Sequence, residues 1–341
     1  MSLRAFSPTI ESASWRTIVA RHRKPDAWKA SWQLVNSLGA YVLVWVLYHY
    51  SLSISWLLAA PLAVLGAGLL VRTFIVFHDC GHGSFFASRF ANDFWGCICG
   101  VLTVTPYYQW RHEHAIHHGT AGDLGKRGTG DVWTMTVREY LTASRYRRLT
   151  YRLARNPFVL LVVSPLVLFL ILQRFPGAKA GVRGRHSVWW TNLAILLIGA
   201  ALSLAIGLRA YLLFQLAILT VAGSAGVWLF YVQHQFNETY WERGEKWDYR
   251  LVALEGSCYF KLPKILQWFS GNIGFHHIHH LEPRIPNYNL EHCHRTEAIF
   301  RDIKPLTLAE SLGTFSLRLW DESSRRLVGF RSLKPGTAKI S

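Results

Sequence analysis

Four long apolar runs constrain the fold of this chain more than any other feature of its sequence. The runs are residues 32–50, 54–77, 188–206 and 211–232. Each is long enough, or nearly so, to cross a bilayer core, which needs about 20 helical residues. Because lipid offers no hydrogen-bond partners, a backbone inside it must pair its own polar groups, as an α-helix does. We therefore predict an all-α integral membrane protein with four transmembrane helices.

The excess of basic residues fits this interpretation. The chain of 341 residues has a formal net charge of +17, a value that also occurs in proteins that bind nucleic acid. Here the basic residues are grouped beside the apolar runs, at residues 16–29, 138–155 and 174–185. Loops of this kind are typically held on the cytoplasmic side, where they face anionic lipid headgroups. The distribution predicts membrane lipids as partners and argues against nucleic acid.

A fifth apolar run, residues 157–172, is predicted to lie in the membrane interface or to enter the membrane and return. Three histidine-rich segments begin at His78, His112 and His276, and they can share one site only on one face of the membrane. A crossing at residues 157–172 would separate the third segment from the other two and would place basic residues outside. We therefore expect interfacial helices and a histidine-rich cap on the cytoplasmic face.

The membrane domain is predicted to fill most of the chain. We assign residues 1–30 to a basic N-terminal arm, residues 31–320 to the membrane domain and residues 321–341 to a C-terminal tail. The five cysteines are scattered and odd in number, so neither a disulfide framework nor a paired CxxC zinc site is expected. The candidate chemistry therefore lies with the histidines.

Eight histidines lie in three short boxes with the spacing of helical ligands. The first box is HxxxH, and the other two are HxxHH. Their histidines are His78, His82, His114, His117, His118, His276, His279 and His280. Residues at i, i+3 and i+4 share one face of a helix, so each box can direct two or three imidazoles towards one point.

Eight imidazoles are about the number of ligands that two transition-metal ions need. Imidazole suits zinc, copper, iron and nickel, and a single tetrahedral zinc takes only three or four ligands. The spans lack the Glu-x-x-His pairs of carboxylate-bridged di-iron bundles. The boxes lie past the span ends, unlike paired haem ligands within spans, and an HExxH protease motif is missing from the sequence. The residues alone leave the identity of the two ions open.

Three segments carry a resemblance to a known family. They are FHDCGHGSFF (77–86), WRHEHAIHHGTAGDLGKRGTGDVWTMTVREY (110–140) and FSGNIGFHHIHHLEPRIPNYNL (269–290). With these boxes in this order, the chain resembles the membrane fatty acid desaturases, in particular the bacterial acyl-lipid and Δ12-like branch, over most of residues 35–300. The resemblance implies two non-haem iron ions, O2 as co-substrate, and a cis double bond formed by removing hydrogens from two adjacent acyl carbons.

The same resemblance implies a ninth ligand and leaves one position unmatched. The eight box histidines match the family's ligands, and His234, in YVQHQ at the end of the last run, matches a ninth. In the acyl-CoA branch an Asn four residues earlier holds a water on one iron, but this chain has Phe230 there. Asn272 or Gln233 is a candidate replacement. His112 and His277 are left outside the ligand set.

Ligand histidines also need acceptors for their second ring nitrogens, and carboxylates are the usual choice. Several acidic residues lie in or near the boxes, including Asp79 in the first box. Asp131 in the glycine-rich RGTGD segment is the preferred candidate, because it lies close to the second box. We predict that Asp131 accepts a hydrogen bond from a ligand histidine.

The resemblance also bears on partners and location. A fused cytochrome b5 segment is missing from the sequence, so a separate electron donor such as ferredoxin or flavodoxin is expected to dock on the basic face. The expected substrate is the acyl chain of a membrane lipid, and the expected location is the bacterial inner membrane with the site on its cytoplasmic face.

The alternative function is that of a hydroxylase or ketolase of the same di-iron superfamily. A metal transporter would need ionisable residues inside its spans, and these runs are nearly free of them.

Overall fold

The computed structural model describes residues 12–333, and they are mostly helical. The helices of the first part are α1 (Ser12–Ala20), α2 (Ala27–Leu34), α3 (Ala40–Ser51), α4 (Ala59–His82), α5 (Arg89–Leu102) and α6 (Tyr107–Thr120). They are followed by α7 (Val137–Thr142), α8 (Arg145–Ala154), α9 (Ser164–Leu170), α10 (Val182–Ile206) and α11 (Leu208–His234). The last are α12 (Tyr249–Glu255), α13 (Lys264–Phe269), α14 (His276–Leu281), α15 (Asn287–Thr296) and α16 (Leu308–Gly313).

Four helices within the described residues are long and apolar enough to cross a membrane, in agreement with the four predicted runs, and a fifth span would require one bent helix pair to cross as a unit. The four helices are Ala27–Ser51, Trp56–His82, Val182–Ile206 and Leu208–His234. In the first span, α2 and α3 are joined through the π-helical turn Val35–Gly39. The second span begins with a 3₁₀ turn before α4, where the side chain of Ser55 caps the backbone N–H of Leu57. The protein is therefore a helical integral membrane protein.

The second span is the centre of the bundle. It packs against α3, α5 and α11, and it is the most buried of the four spans. At Gly66 the neighbouring helices approach closely, because an added Cβ would lie 3.0 Å from the Cδ1 of Ile218. Nearby, the rings of Tyr48 and Phe214 stack with their centroids 3.7 Å apart. The least buried span is Val182–Ile206, which leaves most of its surface for lipid.

The apolar run at residues 157–172 forms a bent element. A π-helical turn, Val159–Val163, leads into α9, and a 3₁₀ turn follows it. The segment Val159–Arg174 makes an angle of 67° with α8, and only the two taken together have the length and composition of a fifth span. The helix α9 packs on α11, where Pro165 lies against Gly223. A sharp bend is compatible with a segment that enters the membrane and returns, which stays a prediction.

Short strands, which the sequence analysis did not predict, tie the polar segments together. They are β1 (Met135–Thr136), β2 (Tyr259–Lys261), β3 (Pro305–Thr307), β4 (Leu319–Asp321) and β5 (Arg326–Val328). The strand β4 pairs with β1 in parallel and with β5 antiparallel, and β2 pairs with β3 in parallel. The hairpin of β4 and β5 crosses the predicted domain boundary at residue 320. The predicted arm and tail fall partly on residues 1–11 and 334–341, which lie outside the described part.

Candidate metal centre

The predicted ligand histidines come from four helices that meet at one end of the bundle. The first box lies in the last turns of α4, the second in α6 and the third in α14, while α11 ends at His234. The short helix α14 is held from outside. The hydroxyl of Tyr249 donates to the carbonyl of His280 at 2.6 Å, and the N–H of Phe260 donates to the carbonyl of Gly274 at 2.7 Å. The positions of the third box therefore depend on its neighbours.

The nine histidines form two groups. In the first group, one ring nitrogen from each histidine lies within 4.8 Å of the corresponding nitrogen of every other member. This five-histidine group is His78, His82, His114, His118 and His279. The second group has His117, His234 and His280 under the same criterion. His276 joins it, because its Nε2 lies 3.0 Å from Nε2 of His234 and 3.1 Å from Nε2 of His280. We call these four residues the four-histidine group.

Each HxxHH box divides between the two groups. In α6, the i and i+4 histidines, His114 and His118, lie in the five-histidine group, and the i+3 histidine, His117, lies in the other. In α14 the assignment is reversed, since His279 is the only member of its box in the five-histidine group. Each box directs two imidazoles to one point, as expected. The expectation that an HxxHH box could direct all three imidazoles to one point is wrong. The i+3 ring diverges far enough from the i and i+4 rings to reach the neighbouring group.

The spacing of the ring nitrogens fits bound metal ions. In the five-histidine group, Nε2 of His118 lies 3.1 Å from Nε2 of His114 and 3.0 Å from Nε2 of His279. Two nitrogens at about 2.1 Å from one ion and at right angles to each other would be about 3 Å apart. The buried Nε2 atoms of His82 and His117 lack a hydrogen-bond partner among the described residues. Unpaired buried polar atoms are rare, and a metal ion in each group would satisfy them.

Burial keeps the box histidines in the form that binds metal. Desolvation first, and neighbouring rings second, hold the pKa of five imidazoles well below the usual value. These are His114, His118, His276, His279 and His280. A neutral imidazole has a free lone pair, which is what a metal ligand requires.

Two carboxylates orient one histidine in each group. The Nδ1 of His117 lies 2.8 Å from Oδ1 of Asp131, as predicted for Asp131, and Nδ1 of His78 lies 3.1 Å from Oδ1 of Asp79. An ionised carboxylate only accepts hydrogen bonds, so the ring proton lies on Nδ1 and Nε2 is left for metal. The other oxygen of Asp131, Oδ2, is buried and unpaired within the described part of the chain.

The side chain of Asn272, a candidate for holding a metal-bound water, is hydrogen-bonded to residues outside both groups. Its side chain accepts from Gln267 at 2.8 Å and donates to the carbonyl of Asn287 at 3.1 Å. The amide of Gln233 likewise donates to the carbonyl of Ile273 at 2.9 Å. Phe230 lies against the four-histidine group, with its ring centroid 5.3 Å from that of His117.

The two histidines that were set aside also lie outside both groups. His112 is exposed. His277 is fully buried and packs against Tyr259 and Phe300, and burial lowers its pKa to about 3.

Aromatic side chains cover the five-histidine group on one side. The ring of Trp110 stacks on His114 with the centroids 4.3 Å apart, and Phe77 lies 4.7 Å from Trp110. Trp110 fits because residue 81 is glycine, since a Cβ there would lie 2.8 Å from the indole. The position of these rings beside the histidines gives the site an apolar wall.

The fold and the site together define an integral membrane protein with a histidine-rich metal centre. The family model described as Fatty acid desaturase matches residues 54–305, a segment that includes both histidine groups. The chain belongs to the fatty acid desaturase family. It is accordingly an oxidoreductase that acts on fatty acyl chains with O2, and the resemblance inferred from the three boxes is confirmed.

Individual relatives agree with this assignment. A fatty acid desaturase of Bacillus subtilis is 46% identical over 316 residues, which cover 93% of this chain and 90% of that protein. An sn-1 oleoyl-lipid 12-desaturase of Synechocystis is 28% identical and covers 76% of this chain and 71% of the relative. An sn-1 acyl-lipid omega-3 desaturase (ferredoxin) of Synechocystis is 27% identical, with 77% and 70% covered.

Proposed function

We propose that the two histidine groups each bind one iron ion and that the protein introduces a cis double bond into an acyl chain of a membrane lipid. The observation that carries this proposal is the convergence of nine largely buried imidazoles into two neighbouring groups. Ligands made almost only of imidazole suit iron among the transition metals and are unsuited to the hard cations magnesium and calcium. Two ions side by side match the needs of a reaction that takes up two electrons and O2.

The proposed reaction removes two hydrogens from adjacent methylene carbons. With two electrons and two protons from outside, one O2 is reduced to two waters and a carbon–carbon double bond forms. A methylene has no acidic proton, so the iron centre supplies the oxidising power and the protein supplies ligands, orientation and exclusion of water. The buried carboxylates Asp79 and Asp131 keep the ring protons of His78 and His117 on Nδ1.

An acyl chain is the substrate that suits the surroundings of the five-histidine group. The wall formed by Phe77 and Trp110 is apolar and adjoins His78 and His114. Such a wall favours a hydrocarbon by the hydrophobic effect and keeps water from the reacting carbons. The names of two relatives describe lipid-linked acyl substrates, which supports a membrane lipid as the acyl carrier.

The electrons are proposed to come from a separate ferredoxin or flavodoxin. One relative is named as a ferredoxin-dependent enzyme, and the basic residues of this chain favour an acidic partner through charge complementarity. We further propose that the site lies on the cytoplasmic face of a bacterial inner membrane. The arginine-rich helix α8, next to the bent apolar segment, is an interfacial element in this arrangement.

A lipid profile of a host without desaturases tests the proposed function. Cells that express the chain should accumulate one unsaturated fatty acid in their phospholipids, and the purified protein should contain about two iron ions per chain. The variant His118→Ala should give neither result. If hydroxylated or keto fatty acids accumulate instead of unsaturated ones, the protein is a hydroxylase or ketolase. A purified wild-type protein with no bound transition metal would overturn the metal assignment.

A further inference from the structure

A chain of hydrogen bonds connects the five-histidine group to the surface segment α13. The carboxylate of Asp79, which orients His78 through Oδ1, accepts two hydrogen bonds from Asn287 through Oδ2. The backbone N–H of Asn287 lies 2.6 Å and its side-chain Nδ2 lies 2.8 Å from that oxygen. Asp79 and Asn287 are each only 1% exposed. Asp79 is thus held from both ends.

The backbone donor of this pair comes from a helix terminus. Asn287 is the first residue of α15, after Pro286, and the first N–H groups of a helix have no partner within the helix. The positive end of the helix dipole also favours a carboxylate at this position. A buried carboxylate is costly unless its oxygens are paired. The amide of Asn287 therefore supplies the second donor that a helix terminus alone would not provide.

The chain continues beyond Asn287. The backbone carbonyl of Asn287 accepts a hydrogen bond from Nδ2 of Asn272 at 3.1 Å. The Oδ1 of Asn272 accepts one from the side-chain amide of Gln267 at 2.8 Å. Gln267 also donates to Glu291, which pairs with Lys264 at the surface. Asn272 has a φ of 60°, a left-handed conformation that few residues other than glycine and asparagine adopt. The backbone here is bent so that its side chain faces Asn287.

The four-histidine group has no equivalent support in the described residues. Asp131 contacts His117 through one oxygen, and its other oxygen is unpaired. The neighbouring Gly130, with a φ of 72°, belongs to a loop rather than to a helix end. The two carboxylates therefore differ in how firmly they are held, although each contacts one ligand histidine.

We propose that Asn287, supported by Asn272, is a positioning residue that holds Asp79 and through it the metal-binding orientation of His78. The inference rests on the proposed metal function and adds an effect restricted to the five-histidine group. Outer partners of metal ligands typically change metal affinity by about 10–100-fold when removed. Loss of the Asn287 amide should therefore weaken binding of the ion in the five-histidine group and leave binding of the other ion unchanged.

The test is release of iron from purified holoenzyme to a chelator, followed over time. In Asn287→Ala, one of the two ions should leave faster than in the wild type, by no more than the roughly 10–100-fold expected when a direct partner of a ligand is removed, and the other ion should leave at the wild-type rate. Iron Mössbauer spectra should show a change in one of the two iron signals only. Asn289→Ala is the matched control, since Asn289 lies on the same helix and bonds to the backbone of His22 and Lys24 instead.

A second variant keeps the test decisive if Asn287→Ala does not fold. Asn272→Gly retains the left-handed backbone and removes the side-chain amide, so it should accelerate release of the same ion by a smaller factor. Wild-type release from folded Asn287→Ala and Asn272→Gly, or equal acceleration of both ions, would overturn the positioning role. A wild-type protein that binds no metal ion would instead overturn the proposed function and this inference together.

Discussion

The two histidine groups share the helices α6 and α14, yet their surroundings differ. The five-histidine group lies beside the aromatic wall of Phe77 and Trp110, and its carboxylate, Asp79, is held by Asn287 at the end of α15. The four-histidine group lies beside Phe230 and depends on Asp131, which belongs to a loop. A small cavity of about 10 Å³, lined in part by Asp131 and Phe230, adjoins this group. Similar ligands are thus placed in a firmly packed setting and in a looser one.

This difference suggests separate roles for the two histidine groups in the proposed reaction. Under the proposed function, the apolar wall would place the hydrocarbon next to the five-histidine group, where small shifts of a ligand would disturb the reacting geometry. Beside the four-histidine group, the second oxygen of Asp131 has no hydrogen-bond partner within the described residues. The comparison predicts that disturbances will be specific for one group, and the following experiments test this from the largest effect to the smallest.

The largest effect is expected from two adjacent histidines that belong to different groups. His279→Ala and His280→Ala should each abolish desaturation, by more than about 100-fold, because each removes a direct ligand, a larger loss than that of an outer partner. Each variant should retain about one metal ion per chain, and the retained ion should differ between them in its spectrum. His277→Ala, within the same box but outside both groups, should keep both ions. Loss of both ions in His279→Ala and in His280→Ala would show that the two groups do not bind metal independently.

A smaller effect is expected at the two carboxylates. Asp79→Asn and Asp131→Asn should each lower metal affinity of one group by about 10–100-fold. Asp79→Asn should also destabilise the fold by about 1–3 kcal/mol, because an amide NH₂ facing the donors of Asn287 leaves buried groups unsatisfied. Asp131→Asn has no such donors to oppose and should unfold at nearly the wild-type temperature. Thermal unfolding with metal analysis measures both quantities, and equal destabilisation would contradict the difference in support.

Crowding the aromatic wall should have a more local effect. Gly81→Ala places a Cβ within 2.8 Å of Trp110, and overpacking of this kind costs about 1–3 kcal/mol. Displacement of the indole from His114 should reduce desaturation and perturb only the ion in the five-histidine group. Phe230→Leu, a large-to-small apolar change at the other group, should leave the ion in the five-histidine group unperturbed. Activity assays and metal spectra of the pair decide the point, and an unchanged Gly81→Ala enzyme would remove the proposed role of the wall.

The smallest effect tests what the two groups share. Burial holds the pKa of His114, His118 and His279, and of His276 and His280, below the usual value. A depressed imidazole pKa means that the unfolded chain binds protons more readily, so stability is complete above about pH 6.5 and falls as the pH drops below it. The metal-free protein should therefore melt several degrees lower at pH 5 than at pH 8. A melting temperature that does not change over this range would contradict neutral, buried rings in both groups.

Much of this protein follows from local sequence patterns. The length and apolarity of the runs are enough to give four spans, because the bilayer imposes one length and one backbone solution. The boxes are visible because ligands on a helix must recur at i+3 or i+4. Asp131 was found in advance because a ligand histidine needs an acceptor, and a carboxylate in a nearby glycine-rich segment can supply it.

Other features needed the folded chain. The division of each HxxHH box between two groups depends on how α6 and α14 face each other, which neither helix specifies alone. Asn287 reaches Asp79 across 208 residues of sequence, and the strand β1 pairs with β4, which also lies far along the chain. The sequence by itself determined the four long apolar runs and the eight box histidines, because these depend on local length and spacing, whereas His234 follows from the family resemblance. The tertiary structure alone decided which imidazoles lie together in one group and which carboxylate is held by Asn287, because those properties arise from contacts between distant segments.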